Sequence, residues 1–262
     1  MYKYQKIINK KMMKRFVWMV MLIFSLGVNA QTIVEKVAFE ATLNGKIHVR
    51  VAFEVDAEKN AAGEIYYPKA KNPAPILIVG YKMPEGDYYL REFNSKGVVT
   101  GIMNIEKKGE KLTGYWTNPK TEEGLRFTNV RTITFPKACG GKLTPEDPAH
   151  IGREYSYQFY HTGYKDMMGG HASFKGAGKN RIHFDISNVP GNIAEGKSEQ
   201  GRPAVLHGNQ FVYNNVNECG YGFKAIFYKQ FVVLETVSDY GETTGCFGAH
   251  TAFDGVYIKV KE

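Results

Sequence analysis

Apolar and polar residues alternate along most of the chain beyond residue 31, which is the pattern of β-strands with one buried face. The alternation runs from Val37 to Leu43 and again from Ile47 to Val55, with an Asn-Gly pair between the two stretches. Asn-Gly is a typical hairpin sequence. The two apolar faces match only if Leu43 lies opposite Ile47. We therefore predict a three-residue loop, Asn44 to Lys46, between these strands.

Further alternating stretches follow, separated by turns that contain Pro, Gly and Asn. The predicted strands are Gly63–Tyr67, Ile76–Tyr81, Tyr88–Phe93, Val98–Ile105, Leu112–Asn118 and Leu125–Ile133. A meander of about eight short strands favours a small barrel or a strongly curved sheet.

The alternation stops at residues 136–152, where three prolines and three glycines accumulate. Such a composition is typical of a linker. We therefore divide the chain into an N-terminal β module (31–136), a linker (137–152) and a C-terminal β module (153–262). The alternative is one continuous sandwich in which this segment is a crossing loop.

The second module resumes the strand pattern and ends in an aromatic-rich unit from Cys219 to Lys259. In that unit we predict a tight turn at Lys229-Gln230, with Tyr228 opposite Phe231. Before that unit, we expect residues 188–203 to form a long exposed loop. The other predicted strands are Tyr155–Tyr160, His171–Phe174, Arg181–Ile186, Ala204–His207 and Phe211–Tyr213. The predicted fold is all-β, with antiparallel meander barrels or curved, lipocalin-like sheets in two consecutive modules.

Residues 1–30 have the organisation of a cleaved secretory signal peptide. A basic segment precedes a thirteen-residue apolar run, Phe16 to Val28, and small residues precede a predicted cleavage after Ala30. The run is shorter than the roughly 20 residues of a membrane-spanning helix, although an uncleaved anchor is the alternative. Translation would start at one of three methionines: Met1, Met12 or Met13. We expect a periplasmic or secreted protein without a membrane span after cleavage.

The leader also accounts for most of the positive charge. The chain has 34 Lys and Arg residues, 26 Asp and Glu residues and a formal net charge of +8. Six of the bases and none of the acids lie in residues 1–30, which leaves 28 bases against 26 acids. A nucleic-acid-binding face needs clustered basic residues, so we expect no nucleic-acid partner.

The three cysteines lie far apart in the sequence, at positions 139, 219 and 246. Thiols within reach of each other pair in an oxidising compartment. A hairpin-like arrangement of the C-terminal unit would bring Cys219 near Cys246, so we predict a disulfide between them. Cys139 would then be free or bonded to another molecule. The alternative pairs Cys139 with Cys219 or with Cys246.

Motifs for catalysis or metal binding are missing from the sequence. There is no phosphate-binding loop, no H-E-x-x-H and no G-x-S-x-G. His161, His171 and His183 could bind zinc only if three strands placed them side by side. We expect them to be ordinary histidines, and we predict no catalytic, cofactor-binding or metal-binding residue.

Carboxylate and aromatic groups offer weaker candidates. Glycoside hydrolysis uses two carboxylates, and the candidate pairs are Glu54 with Asp56 and Asp185 with Glu195. An aromatic ligand surface could be formed by Tyr88, Tyr89, Tyr155, Tyr157, Phe159 and Tyr160. A β protein of this size contains such groups by chance, and some of these rings must be core residues.

Three motifs in the N-terminal module carry a resemblance to known proteins. They are a G-x-I-x-Y start (Gly63 to Tyr67), a middle motif that contains L-x-E and T-G (Leu90 to Gly101) and an end in tryptophan (Gly109 to Trp116). This arrangement resembles small secreted β modules of Gram-negative bacteria. The C-terminal unit resembles the tail of secreted proteins grouped with LprI-like lysozyme inhibitors. The resemblance implies a periplasmic or secreted barrel-like protein, and no inhibitory residue can be carried across.

Together these features predict an exported, non-enzymatic envelope protein that acts as a binding module, for example as an inhibitor of lysozyme or another hydrolase. Its partner would be a protein or small ligand of the envelope or of host fluid. The alternative is a lipocalin-like carrier of a small ligand. A large apolar cavity inside a barrel would favour the carrier, whereas a filled core with a protruding loop would favour the inhibitor.

Overall fold

A computed structural model describes residues 32–160, 167–189, 194–197, 203–215, 221–237 and 254–260. These residues form strands and two short 3₁₀ helices, Lys137–Cys139 and Pro148–His150. The strands of the N-terminal part are β1 Ile33–Leu43, β2 Ile47–Asp56, β3 Asn60–Tyr66, β4 Ile76–Lys82, β5 Tyr88–Phe93, β6 Val99–Lys108, β7 Lys111–Thr117 and β8 Gly124–Thr132. Those of the C-terminal part are β9 Glu154–Tyr160, β10 Met167–Gly176, β11 Arg181–Val189, β12 Ala194–Lys197, β13 Ala204–Val205, β14 Gln210–Asn215, β15 Tyr221–Phe227, β16 Phe231–Thr236 and β17 Gly255–Lys259. The predicted all-β class is confirmed.

Strands β1 to β8 form a closed antiparallel barrel, which we call the N-terminal barrel. Each strand pairs with the next along the chain, and β8 returns to pair with β1. Leu43 pairs with Ile47, so the predicted three-residue loop and register are confirmed. Closure leaves no free sheet edge in this barrel.

Alternate residues of each strand point into the N-terminal barrel and fill it. The largest of these side chains form edge-to-face ring pairs, Phe39 with Phe127 at 5.5 Å and Phe53 with Tyr88 at 4.9 Å between ring centroids. Aliphatic residues such as Val51 complete the packing and are fully buried. The interior is a packed core of the kind expected in an eight-stranded barrel.

Strands β9 to β17 form a second, barrel-like antiparallel sheet, which we call the C-terminal barrel. Its order is β12-β11-β10-β9-β17-β16-β15-β14, and β13 pairs with the first residues of β11. Phe227 pairs with Val232, and the Tyr228 amide donates to the Phe231 carbonyl over 2.8 Å, which confirms the tight turn. The expected long loop at 188–203 is wrong at its start and centre, because β11 continues to Val189 and pairs with β12.

Phenylalanine rings fill the C-terminal barrel. The centroids of Phe174 and Phe227 lie 4.8 Å apart and those of Phe184 and Phe223 5.2 Å apart, each pair edge to face. Phe184 also stacks on Phe211 at 5.6 Å. These geometries are the favoured ones for aromatic pairs, so the interior is densely occupied.

The two barrels pack against each other through the outer faces of a few strands, and the chain beyond residue 30 forms one compact unit. The N-terminal barrel contributes Val79 and Phe93, and the C-terminal barrel contributes Phe231 and Val233, to one continuous buried cluster. Burial of apolar surface of this kind stabilises by about 25 cal/mol per Å². Strands that cover the partner barrel are therefore apolar on both faces.

The segment 137–152, predicted as a linker, packs against both barrels. Leu143 is only 2% exposed and belongs to the same buried cluster. The Glu146 amide donates to the Phe227 carbonyl over 3.0 Å, and the Glu146 carboxylate pairs with Lys259.

Among the described residues, no helix has the length and apolar character needed to cross a membrane.

Candidate functional site

The three motifs that carry the resemblance meet at one end of the N-terminal barrel, which we call the tryptophan end (Tyr67, Glu92, Thr100 and Trp116). The Glu92 carboxylate points inward and is 4% exposed. It accepts hydrogen bonds from the Tyr67 hydroxyl at 2.7 Å, the Thr100 hydroxyl at 2.7 Å and Nε1 of Trp116 at 3.1 Å. No described cation forms an ion pair with it. The motifs therefore specify a structural cluster that closes this end.

The shape of the tryptophan end depends on Gly101. A Cβ atom at this position would lie 2.2 Å from Nε1 of Trp116, so only glycine leaves room for the indole ring. Burial and the neighbouring Glu92 charge raise the pKa of the Tyr67 hydroxyl, which therefore stays protonated and donates. The donors of this cluster are therefore used within the protein.

The opposite end of this barrel, the lysine end, consists of Glu35, Lys82, Tyr88 and Lys107. Glu35 pairs with Nζ of Lys82 at 2.7 Å and Nζ of Lys107 at 2.5 Å, and it accepts from the Tyr88 hydroxyl at 2.8 Å. Burial raises the pKa of Glu35, but these hydrogen bonds outweigh it and lower the pKa to about 2. Tyr88, a candidate for an aromatic ligand surface, is thus a buried core residue.

The candidate pair Glu54 and Asp56 lies on the outer face of β2, where both residues are buried beneath other parts of the chain. Glu54 forms an ion pair with Lys36 at 2.9 Å and accepts from the Gly141 amide at 2.8 Å. Asp56 accepts from the Tyr228 hydroxyl at 2.7 Å and the Asn60 amide at 2.9 Å. Burial raises the pKa of Asp56 above its usual value, although these hydrogen bonds oppose that shift. Both carboxylates are used in contacts that hold the structure together.

A cleft of about 330 Å³ opens between the barrels, beside the Asp56 contact, and we call it the inter-barrel cleft. Tyr81 and Tyr89, directly opposite each other on β4 and β5, form one wall, with ring centroids 5.5 Å apart and an interplanar angle of 31°. Arg91 lies beside them, with its guanidinium carbon 5.5 Å from the Tyr89 centroid, a cation–π contact. Val79 and Val233 contribute apolar surface at the base.

The facing wall of the inter-barrel cleft carries carboxylates. Glu58 pairs with Lys224 of the C-terminal barrel at 2.6 Å, and Asp254 accepts from the backbone and hydroxyl of Thr236. Glu235 is half-buried, and its carboxylate makes no hydrogen bond or ion pair with any described residue. Its pKa is raised, first by burial and then by the neighbouring carboxylates, although Lys224 opposes the shift. A perturbed acid in a cleft is a typical feature of a binding site.

A second cleft, of about 480 Å³, lies at the other end of the interface and is lined by Ile76, Phe93, Arg153 and Lys229, among others. It has basic side chains but no carboxylate in its lining. The inter-barrel cleft is the stronger candidate because it combines exposed aromatic rings, both signs of charge and an unpartnered acid.

The histidine candidates do not form a cluster in the described part of the chain. His171 pairs with Ser187 and His183 with Lys175, which separates the two histidines by four residues, or roughly 13 Å, along adjacent strands. His161 lies outside the described residues. No group of three potential metal ligands occurs among the residues that are described.

The remaining carboxylate pair lies on β11 and β12. Asp185 pairs with Lys197 and Glu195 with Ser187, so the register makes Asp185 and Glu195 diagonal neighbours, roughly 7–8 Å apart. Tyr155 and Tyr157 are buried, and burial raises the pKa of Tyr157 to about 12. Phe159 and Tyr160 belong to β9.

The predicted disulfide between Cys219 and Cys246 lies outside the described residues. Cys139 has a free thiol that donates to Oε2 of Glu64 over 3.4 Å. Burial and the Glu64 charge raise the pKa of this thiol to about 11, which disfavours the reactive thiolate at neutral pH.

The sequence analysis named Tyr89 but missed the other cleft residues. Tyr81 could have been found, because the turn after Lys82 places it opposite Tyr89 and on the same face as Val79. Arg91 follows from the same alternation. Glu235 and Asp254 could not have been found, since their position depends on how the barrels pack.

No protein-family model, no curated protein and no solved structure matches this chain. The resemblance to secreted β modules and to LprI-like proteins therefore stays a prediction.

Proposed function

We propose that this protein is an exported, non-enzymatic binding protein of the cell envelope. The observation that carries the proposal is the contrast between filled interiors and a chemically rich outer cleft. Buried rings occupy both barrels, and hydrogen-bonded clusters occupy both ends of the N-terminal barrel. A lipocalin-like carrier needs an open apolar interior, so this packing supports recognition at the outer surface.

The contacts of Glu54 and Asp56 support a binding role for this pair over hydrolysis. Glycosidases place two carboxylates on either side of a substrate. Glu54 and Asp56 are instead held by Lys36, Gly141 and Tyr228, and most of their hydrogen-bonding capacity is used within the protein. Inhibition of a hydrolase such as lysozyme is the more specific form of the proposal, and it is supported by the sequence resemblance alone.

The test is affinity capture with residues 31–262, produced in a periplasm, from envelope extract and host fluid. We expect a saturable partner that Tyr81→Ala in the inter-barrel cleft releases, whereas Tyr115→Ala does not. Tyr115 is a matched control because it is 49% exposed, against 47% for Tyr81, and lies on β7 away from the cleft.

Two assays accompany the capture. Hydrolysis of peptidoglycan, glycan or ester substrates that a single substitution abolishes would contradict the non-enzymatic proposal. Lysozymes are assayed at micromolar concentrations of the protein, and no inhibition of any class would remove the inhibitor form while leaving the binding role to the capture experiment.

A further inference from the structure

The aromatic wall of the inter-barrel cleft is exposed in a way that a core residue would not be. Tyr81 is 47% exposed although it sits opposite Tyr89 on two paired strands whose neighbouring outer residue, Val79, is fully buried. The two rings are tilted by 31° relative to each other, and their centroids lie 5.5 Å apart. They offer apolar ring surface together with hydroxyl groups, and tyrosine is enriched at binding interfaces for this reason.

The charges around this surface limit the charge of a ligand. The lining has three carboxylates, Glu58, Glu235 and Asp254, against the guanidinium of Arg91, so a strongly anionic ligand would be repelled. Glu58 is already paired with Lys224, and Asp254 already accepts from Thr236, which leaves Glu235 as the carboxylate without such a contact among the described residues. A neutral ligand with hydroxyl groups can contact both Glu235 and Arg91 without repulsion from either. Hydroxyl groups donate to the carboxylates and accept from the guanidinium, so one polyhydroxylated ring can satisfy both walls.

The unused hydrogen-bonding capacity of Glu235 suits the same ligand. The Glu235 carboxylate has no hydrogen-bond or ion-pair partner among the described residues, and burial raises its pKa. A desolvated carboxylate without a donor is unfavourable, and a ligand hydroxyl would supply one. The volume of about 330 Å³ is near the lower end of the usual range for ligand pockets, which fits one or two sugar rings.

We propose that the inter-barrel cleft binds a neutral pyranose sugar, which stacks its C–H face on Tyr81 and Tyr89 and hydrogen-bonds to Glu235 and Arg91. This inference rests on the proposed function and deepens it, because it names the chemical class that the cleft takes. Envelope glycans and host glycans share this chemistry, and the probes below distinguish them.

The experiment is a titration of residues 31–262 with four probes, followed by ligand-observed NMR and calorimetry. The disaccharide of β-1,4-linked N-acetylglucosamine represents envelope glycan, and lactose represents host glycan. Diglycine represents a zwitterion and spermidine a cation. We expect one of the sugars to bind with a millimolar or lower Kd and to exceed both charged probes in affinity by at least tenfold.

Three variants test whether the sugar binds in the inter-barrel cleft. Tyr81→Ala should weaken sugar binding at least fivefold, whereas Tyr115→Ala should leave it unchanged. Glu235→Gln replaces the charge-assisted hydrogen bond of the carboxylate with a neutral one, so it should weaken sugar binding, although less than Tyr81→Ala does. Far-ultraviolet circular dichroism and the fluorescence of Trp116 confirm that each variant is folded.

Three results would overturn the inference: no sugar binds, sugar binding is unaffected by Tyr81→Ala, or diglycine or spermidine binds more tightly. If a protein partner is captured while no sugar binds, the inference fails and the proposed function stands. If the sugar binds and is hydrolysed, the proposed function fails and the site stands.

Discussion

The two ends of the N-terminal barrel each enclose a carboxylate, but they stabilise it with different kinds of hydrogen-bond donor. At the lysine end, Glu35 receives two ammonium groups and the Tyr88 hydroxyl. At the tryptophan end, Glu92 receives three neutral donors, from Tyr67, Thr100 and Trp116. Ion pairs at partly exposed positions respond to pH and salt. Hydrogen bonds from fixed rings depend on geometry instead.

Solvent access explains why the lysine end uses charged donors and the tryptophan end uses neutral ones. The side chains of Lys82 and Lys107 are 25% and 35% exposed, so their charged groups keep contact with water while their stems cover the barrel. Glu92 lies deeper, and a lysine beside it would need to leave water completely. Burying a full ion pair has a large desolvation penalty, which neutral donors of rigid side chains avoid. We infer that depth in the barrel decides between the two arrangements.

The largest effect is expected from a substitution at the tryptophan end. Glu92→Ala removes the acceptor of three inward donors and leaves a cavity. We expect a loss of about 3–5 kcal/mol in the free energy of unfolding. Urea denaturation can be followed by the fluorescence of Trp116, since the other tryptophan of the chain, Trp18, lies in residues 1–30. Glu110→Ala, at an exposed turn position, is the control. A loss below about 1 kcal/mol would contradict a structural role for the cluster.

A smaller effect tests the geometry of the same end. Gly101→Ala places a methyl group against the Trp116 ring, and we expect a loss of about 1–3 kcal/mol as the ring moves. The emission of Trp116 should shift to longer wavelength because its contact with Glu92 is broken. Gly124→Ala is the matched control, since a Cβ there meets nothing within 4 Å. Equal effects of the two substitutions would show that the ring is not confined.

The smallest of the expected effects concerns the lysine end and depends on pH. The folded pKa of Glu35, about 2, is below its ordinary value of 4.5, so its ion pairs stabilise the protein fully above pH 4.5 and are lost as pH falls towards 2. After allowance for solvent screening, Glu35→Gln should cost about 1–2 kcal/mol at pH 6, and this difference should disappear near pH 2.

Salt separates the two ends in the same experiment. At 1 M salt the screening length falls to about 3 Å, so the cost of Glu35→Gln at pH 6 should shrink while the cost of Glu92→Ala persists. A Glu35→Gln difference that stays constant from pH 6 to pH 2 would contradict the ionic assignment of the lysine end.

Several parts of the fold were predictable because they depend on local pattern. Strand β5 has the predicted bounds Tyr88–Phe93, and the pairing of Leu43 with Ile47 follows from matching apolar faces across a short turn. Strand β12 was missed because Ala194–Lys197 has no apolar alternation. Its extended form depends on pairing with β11, which the sequence of β12 does not reveal.

The candidate site was only partly predictable. Tyr89 was among the aromatic candidates, and Tyr81 could have been added from its hairpin partner. Glu235 belongs to a strand more than 140 residues further along the chain. Only the packing of the two barrels brings it into the same cleft as Arg91.

By itself, the sequence determined that the described chain folds as antiparallel strands with one apolar face, because alternation acts between neighbouring residues. It also contained the motif residues Tyr67, Glu92 and Trp116, although nothing in their spacing showed that they touch. Tertiary structure decided the closure of β8 on β1, the convergence of those residues on one carboxylate and the cleft between the barrels. These features depend on strand stagger and on which outer faces exclude water together, and both are properties of the assembled sheets.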